Sequence, residues 1–376
     1  MGKPKIYKIA TVVALLLIIS AGAWYAVLPT RHKAIVKTTL LQKTGIVDGD
    51  WRVSDATKQY VMISPTFLID GIYKSMEGPK ASNYVQLSKD SSLLWITGFH
   101  VRALDAKTKE RLSNDFICHM NVDFNDVNYF TNFGLTDRIG KQYPRMTSLS
   151  HGLEDFAFPK GYGIPMKGND WLLVTTQSLN HNLPDINQLV KHEVTIGYEK
   201  SGGIKPLMTR TVFIQLPYDK KDPYKQPLDP ASNQCIPVET KNHSYDDGHG
   251  NKLSGHWVVP PGRNVYRSSI DAQLQMTDSL RLHAAAIHVH PFATRIALFD
   301  RTAQRPVFVS RIVNHKDRIG LTKIEPFSSE EGIWLYKSHQ YELVLEVENT
   351  TAIDQDMMGS MFLFFYDAAL DGILNR

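Results

Sequence analysis

Cysteine is nearly absent. The 376 residues hold two, Cys118 and Cys235, far apart in the chain. In an exported protein they allow one disulfide; the other reading is a thiolate ligand and a spare. A surplus of one charge sign is missing too. Against 42 Lys and Arg stand 38 Asp and Glu, a net +4. That balance is too small and too mixed for a nucleic-acid partner. No phosphate-binding glycine motif of the P-loop or dinucleotide kind occurs. Long amphipathic helical patterns and internal repeats are also absent.

What the chain has instead is a series of short apolar runs broken by Gly, Pro, Asn and Asp. Tyr60–Ile63, Leu93–Val101, Phe116–Phe124, Trp171–Leu179 and Val194–Tyr198 come first. Thr211–Leu216, Ala284–Phe299, Gln340–Val347 and Met361–Tyr366 follow. Most are strand length with turn residues between them. The pattern predicts an all-β protein of two tandem antiparallel β-sandwich domains, jelly-roll-like in character. A seam near 199–207, EKSGGIKPL, divides residues 60–205 from residues 206–368. The Pro-rich stretch 217–255 reads as a long loop or crossover. Residues 30–59 read as a linker and 369–376 as a tail.

The N-terminus predicts a membrane anchor within residues 1–29. Lys3, Lys5 and Lys8 precede Ile9–Leu28, a run without charge. Twenty helical residues reach about 30 Å, the hydrocarbon thickness of a bilayer. Trp24 and Tyr25 stand at its far boundary, where aromatic rings favour the interface. Basic residues in front place the N-terminus inside, although Arg31, His32 and Lys33 weaken the bias. The competing reading is a cleaved signal peptide, with Ala21-Gly22-Ala23 as the site. Either way the bulk of the chain is exported, to a periplasmic or extracellular space.

Two stretches carry the chemistry. In RLHAAAIHVHPFATRIALFD, His288 and His290 flank Val289. Residues two apart in a strand share a face, with Cα atoms ~6–7 Å apart, which is chelate spacing. In DQDMMGSMFLFFYD, Met357, Met358 and Met361 run into an aromatic strand. Thioethers are soft ligands suited to Cu(I); core packing is the other use of Met.

Together these stretches resemble the catalytic domain of the type II copper, ascorbate-dependent monooxygenases, the peptidylglycine α-hydroxylating and dopamine β-monooxygenase family. There an H-x-H and a later Met, after acidic residues and before an aromatic strand, bind the copper that activates oxygen. The resemblance implies His288, His290 and Met358 as one copper site. It also implies a second copper in the first domain, fed by ascorbate or another one-electron reductant. The family's H-H-M strand reads Cys118-His119-Met120 here. A P-x-G-x-G segment matches FPKGYGIP, and the histidine ending the next strand matches His181. Cys118 departs from the pattern. It could be a thiolate ligand, or bridge to Cys235, or leave its place to His100 or His151.

The peptidylglycine enzyme uses an Arg two residues before the H-x-H, and an Asn and a Tyr two and four after the Met. Ala286, Ser360 and Phe362 stand at those positions. The expectation is a copper monooxygenase using O2 on an aliphatic C–H bond of a small organic substrate, not a glycine-extended peptide. Arg281 or Arg295 offers an alternative anion contact. Two other functions remain open: a non-catalytic copper-binding or copper-handling envelope protein, and a metal-free adhesion module. His243, His249 and His256 are metal-capable, with solvated loop residues as the plainer reading. His283 reads as structural. Trp257–Arg263, WVVPPGR, predicts a strand and a Pro-Gly turn.

Overall fold

The computed structural model describes residues 3–141, 143–200, 202–217, 244–246 and 252–374. Cys235, His243, His249 and most of the 217–255 stretch lie outside the described residues.

Strand dominates. In Gln188–Glu199, Val190, His192, Val194, Ile196 and Tyr198 are buried and the residues between them half-buried, the period of a strand with one face inward. This strand pairs antiparallel with Leu93–Asp105. Gln59–Ile63 pairs along its other edge, and Arg52–Ala56 pairs with Gln59–Ile63. A second sheet of the first half runs Lys80–Gln86, Trp171–Ser178, Ile117–Phe124, Arg145–Leu149. In the second half, Lys205–Phe213, Gln355–Tyr366, Leu280–Val289 and Phe327–Leu335 lie side by side. A five-stranded sheet accompanies them, in the order Gly262–Ser269, Tyr341–Asn349, Ala293–Asp300, Arg305–Asn314, Leu321–Ile324. The halves share a sheet: Tyr162–Lys167 pairs in parallel with Lys205–Phe213 at Tyr162 to Lys205 and Gly163 to Pro206.

Three strands lack alternation, and they position the site. Ile117–Phe124 is buried at every position. Leu280–Val289 is buried from Leu282 onward, and Gln355–Tyr366 from Met357 to Phe365. Burial on both faces removes the alternating pattern. One face fills the strand's own sandwich and the other meets the opposing half, where Arg145–Leu149 packs on Leu280–Val289 and Gln355–Tyr366. Phe362, Phe364 and Phe365 are all buried, each contributing about 1.5–3 kcal/mol. Arg138 of the first half also clasps Asp367, which follows the last strand, with two N–H groups.

Three sequence expectations change, and one at WVVPPGR holds. The run Ala284–Phe299 is two strands in two sheets, because Pro291 after His290 has no N–H for a ladder and Phe292 turns with φ +77°. Residues 30–59 are more than a linker. Thr30–Lys43 is a helix whose Ala34 and Thr38, one turn apart, are buried. Lys37 Nζ reaches Asp70 Oδ1 at 2.5 Å and Gln42 Nε2 donates to the Thr66 carbonyl at 3.2 Å. Arg52–Ala56 is an edge strand. The tail holds the helix Ala368–Leu374, anchored by buried Leu370. The WVVPPGR stretch forms a strand, His256–Val259, then a turn into Gly262–Ser269 with Gly262 at φ +96°.

Lys3–Ala26 is a helix. Among the described residues no helix is long and apolar enough to cross a membrane. Residues 1–2 and the side chains of residues 3–6 and of Ile9 lie outside them.

Candidate metal centre between the two halves

His288 and His290 project from one face of Leu280–Val289 and the corner after it, and their rings stand 5.6 Å apart at near right angles. Gln355–Tyr366 runs antiparallel beside them, with Ser360 opposite His288. Its even-numbered residues Met358, Ser360 and Phe362 share a cavity with His288. The odd-numbered side faces the second-half core. Met357 and Met361 are fully buried there, and a Cβ on Gly359 would meet Leu345 Cδ2 at 3.3 Å and Ile296 Cδ1 at 3.6 Å. The strand register therefore turns Met358 toward the histidines and its two neighbouring methionines away.

The cavity, about 240 Å³, takes its other wall from the first half, where His119, Asn121 and Arg145 line it. The ring of His119 lies 6.2 Å from that of His288, edge to face. Thus a donor expected in one copper domain and a donor expected in the other look into the same space. Arg145 Nε bonds Asp123 Oδ1 at 2.7 Å, so that guanidinium is already matched by a carboxylate. Tyr143 and Lys80 complete the polar side.

Cys118 reaches this wall through a β-bulge. His119 pairs with Gln177 and Ile117 with Ser178, which leaves Cys118 as the extra residue. Side chains at a bulge depart from strict alternation. Cys118 packs with Met76 and Leu179, and Met76 lines the cavity with His119. His181 is buried, and its Nδ1 has no hydrogen bond among the described residues. Burial pushes its pKa down to about 4, while Asp356 and His290 are near enough to act on it. Burial also drives His119 well below the usual imidazole range. Both rings are therefore neutral near pH 7, the form that ligates a metal.

His256 and Asp356 were not assigned to the site from sequence. The expectation of a solvated loop residue fails for His256: it is buried and sits opposite Met358 in the strand pairing. Its Nε2 lies 3.2 Å from Asp356 Oδ2, and His290 Nδ1 lies 2.9 Å from the same oxygen. The His290 contact is close without being aligned as a hydrogen bond, and His290 Nε2 is buried with no hydrogen bond among the described residues. Burial works to raise the Asp356 pKa, but His290 and His256 hold the carboxyl far below its ordinary range. The available signal was H-W-V-V, a strand pattern that starts on the histidine itself.

The remaining candidates lie elsewhere. His100 Nδ1 is 2.5 Å from Asp155 Oδ1, and His151 lies beside Asp115, Glu154 and His315. Neither is brought to Cys118 and His119. His283 stacks on Tyr162 at 4.1 Å and has Nδ1 3.0 Å from the Ser329 carbonyl, a structural setting. Ala286 is fully buried and does not line the cavity.

No protein-family model and no curated protein matches the chain. Among solved structures, a recombinant N-glycanase F (PNGase F) is similar at TM-score 0.34 and 7% identity, over 83% of this chain and 96% of that one. PNGase F, a glycosylasparaginase from Flavobacterium meningosepticum, gives TM-score 0.29 and 7% identity over 80% and 95%. The PBSX exported protein XepA gives TM-score 0.16 and 9% identity over 81% and 90%. Scores of this size carry no inference about fold or chemistry.

Proposed function

We propose that this chain is an exported, membrane-anchored copper protein of the ascorbate-dependent monooxygenase type, built on two tandem β-sandwich domains that meet at the metal centre. The observation that carries the reading is one cavity holding His288, Met358 and His119 together with Ser360 and Phe362. The donors fit the metal: imidazoles, one thioether, and a buried His290 Nε2 without a hydrogen bond. Imidazole with thioether is a set that favours Cu(I). Copper, when bound, supplies a one-electron couple and a binding place for O2.

The chain's own residues do the rest. His288, His290 and Met358 hold the metal. Asp356 orients His290 through Nδ1, the usual outer-shell arrangement for a ligating histidine. His119, His181 and Cys118 would hold a second copper, reduced by ascorbate or another one-electron donor; their donor atoms do not stand together as one group among the described residues, so these side chains would have to close around the ion. Ser360 and Phe362 shape the substrate's side of the cavity. Arg281 packs over Trp334 and Arg295 pairs with Glu346, and neither lines the cavity. Ala286, Ser360 and Phe362 replace the groups that would anchor a peptide ending in glycine, and the cavity wall is mostly polar, with Lys80, Asn121 and Thr175 in it, so the space suits a small organic substrate with polar groups of its own. Cys118 in place of a histidine favours a second reading, a copper-binding protein without turnover.

The test is copper loading of the detergent-solubilised full chain, followed by ascorbate-driven O2 consumption over a panel of small organic substrates. Two Cu(I) per chain and substrate-dependent consumption support the enzyme. Copper without consumption supports the second reading, and no copper removes both. Cys118→His distinguishes further: a raised oxygen uptake is expected if Cys118 is a thiolate ligand.

A further inference from the structure

A second group of donors joins the two halves, and neither copper set includes it. Asp115 begins the segment before Ile117–Phe124, His151 follows Arg145–Leu149, and His315 follows Arg305–Asn314 of the other half. Three atoms converge. His151 Nε2 lies 2.9 Å from Asp115 Oδ1 and 3.2 Å from His315 Nε2, and His315 Nε2 lies 3.5 Å from Asp115 Oδ1. Ligand bonds of ~2.0–2.1 Å in a tetrahedron put neighbouring donor atoms ~3.3 Å apart. The observed edges, 2.9 to 3.5 Å, bracket that value.

Two further observations point to a ligand. Asp115 Oδ1 is buried and makes no aligned hydrogen bond, although an imidazole nitrogen is 2.9 Å away. The two imidazoles do meet as a hydrogen-bonding pair through their Nε2 atoms, a contact that the ion would replace. Behind the ring, His151 Nδ1 lies 3.3 Å from Glu154 Oε1 without an aligned hydrogen bond, which puts a carboxylate on the side where ligating histidines ordinarily have one. His315 also lines a cavity of about 510 Å³ with Asn314 and Lys316, which gives an ion a way in.

We propose that Asp115 Oδ1, His151 Nε2 and His315 Nε2 bind a divalent cation of the zinc class, with a water as fourth ligand, and so staple the two halves together. Two imidazoles and a carboxylate, without sulfur, suit Zn2+. Arg318 opposes it. Its Nε bonds Asp115 Oδ2 at 3.0 Å, and its Nη2 lies 3.2 Å from His315 Nε2. The ion needs that nitrogen's lone pair, so Arg318, 38% exposed, must turn outward. The opposing reading is a plain ion-pair cluster of His151 with Asp115 and Glu154.

The experiment uses the full chain stripped by a chelator and titrated with Zn2+ alone against a chromophoric competitor. Wild type should bind one zinc more than His315→Ala, and zinc should raise the Tm of wild type more than that of the variant. Asp115→Asn keeps the shape and should lose the same equivalent, so it serves if His315→Ala does not fold. Arg318→Ala should bind several-fold more tightly, because a cation has been removed from the site. Under the ion-pair reading the same change weakens the cluster and leaves zinc binding unaltered. His288→Ala must leave this zinc equivalent in place. Equal zinc stoichiometry in wild type, His315→Ala and Asp115→Asn would overturn the proposal.

Discussion

His288 and Met358 look into a cavity that offers a thioether, whereas His315 looks at a carboxylate and a second imidazole. Both groups draw donors from the two halves of the chain, yet their surroundings differ. Around the first, His119, His288, His290 and Met358 are all buried, and burial drives His119 well below the usual imidazole range. Around the second, His151, His315 and Asp115 are each part-exposed, and the carboxylates of Asp115 and Glu154 crowd His151. Burial works to lower the His151 pKa, but those carboxylates carry it up to about 9, so a cation binding there must displace the proton. Two histidine clusters can thus share one seam and favour different ions: soft donors out of water for a reduced metal, harder donors near water for a divalent one.

The largest expected effect breaks the first cluster. His288→Ala or His290→Ala should remove about one copper per chain, read by metal analysis after Cu(I) loading. Met358→Ala should weaken Cu(I) binding more than Cu(II), because the lost ligand is soft. Unchanged copper content in all three variants would sink the site, and copper loss in His315→Ala would merge the two clusters.

Next comes the seam itself, away from both clusters. Asp367 is buried against Arg138, and burial holds the neighbouring Arg210 down to about 10. Asp367→Ala would leave the half-buried Arg138 guanidinium without its partner, at a cost of about 2–3 kcal/mol in denaturant unfolding. A much smaller loss would mean that the halves are held mainly by the shared sheet.

Asp356→Asn sharpens the comparison from within. The side chain keeps its shape but loses the charge that faces His290 and His256. Copper affinity should fall about 10–100-fold, the usual outer-shell effect, while the His315 cluster keeps its ion. No change would reduce Asp356 to packing.

The smallest effect serves as reference, outside both clusters. Burial tends to raise the Asp70 pKa, but Lys37 and Tyr73 hold it below its ordinary value. A lowered carboxyl contributes stability above its unfolded pKa of about 3.9 and loses it as pH falls through the folded value. Docking of Thr30–Lys43 should therefore be constant from pH 5 to 8 and weaken below about 4, by less than about 1 kcal/mol. Protease susceptibility of that helix measures it, and loss of protection near neutral pH would rule out the Lys37–Asp70 contact as its cause.

Parts of this design were legible in the residues. Short apolar runs announced strands, because a strand needs only a few residues with the right spacing. The H-x-H pair could be placed on one face from the period of two alone. The same period separates Met358 from Met357 once one register is chosen. Local chemistry misled at Ala284–Phe299, where Pro291 hides a change of sheet inside a continuous apolar run. It also misled at 30–59, where the helix shows only a weak apolar face and depends on docking.

By itself the sequence determined strand class, the facing of His288 and His290, and the softness of the donor at Met358. These are properties of neighbours along the chain, set by backbone period and side-chain chemistry. Tertiary structure decided the partners. His256 meets Met358 and Asp356 across about a hundred residues, and His315 meets Asp115 across 200. It also brought His119 to His288, so that donors expected at two separate sites line one cavity. Such meetings depend on which sheet faces pack together, and burial on both sides of a strand erases the alternation that would have revealed them.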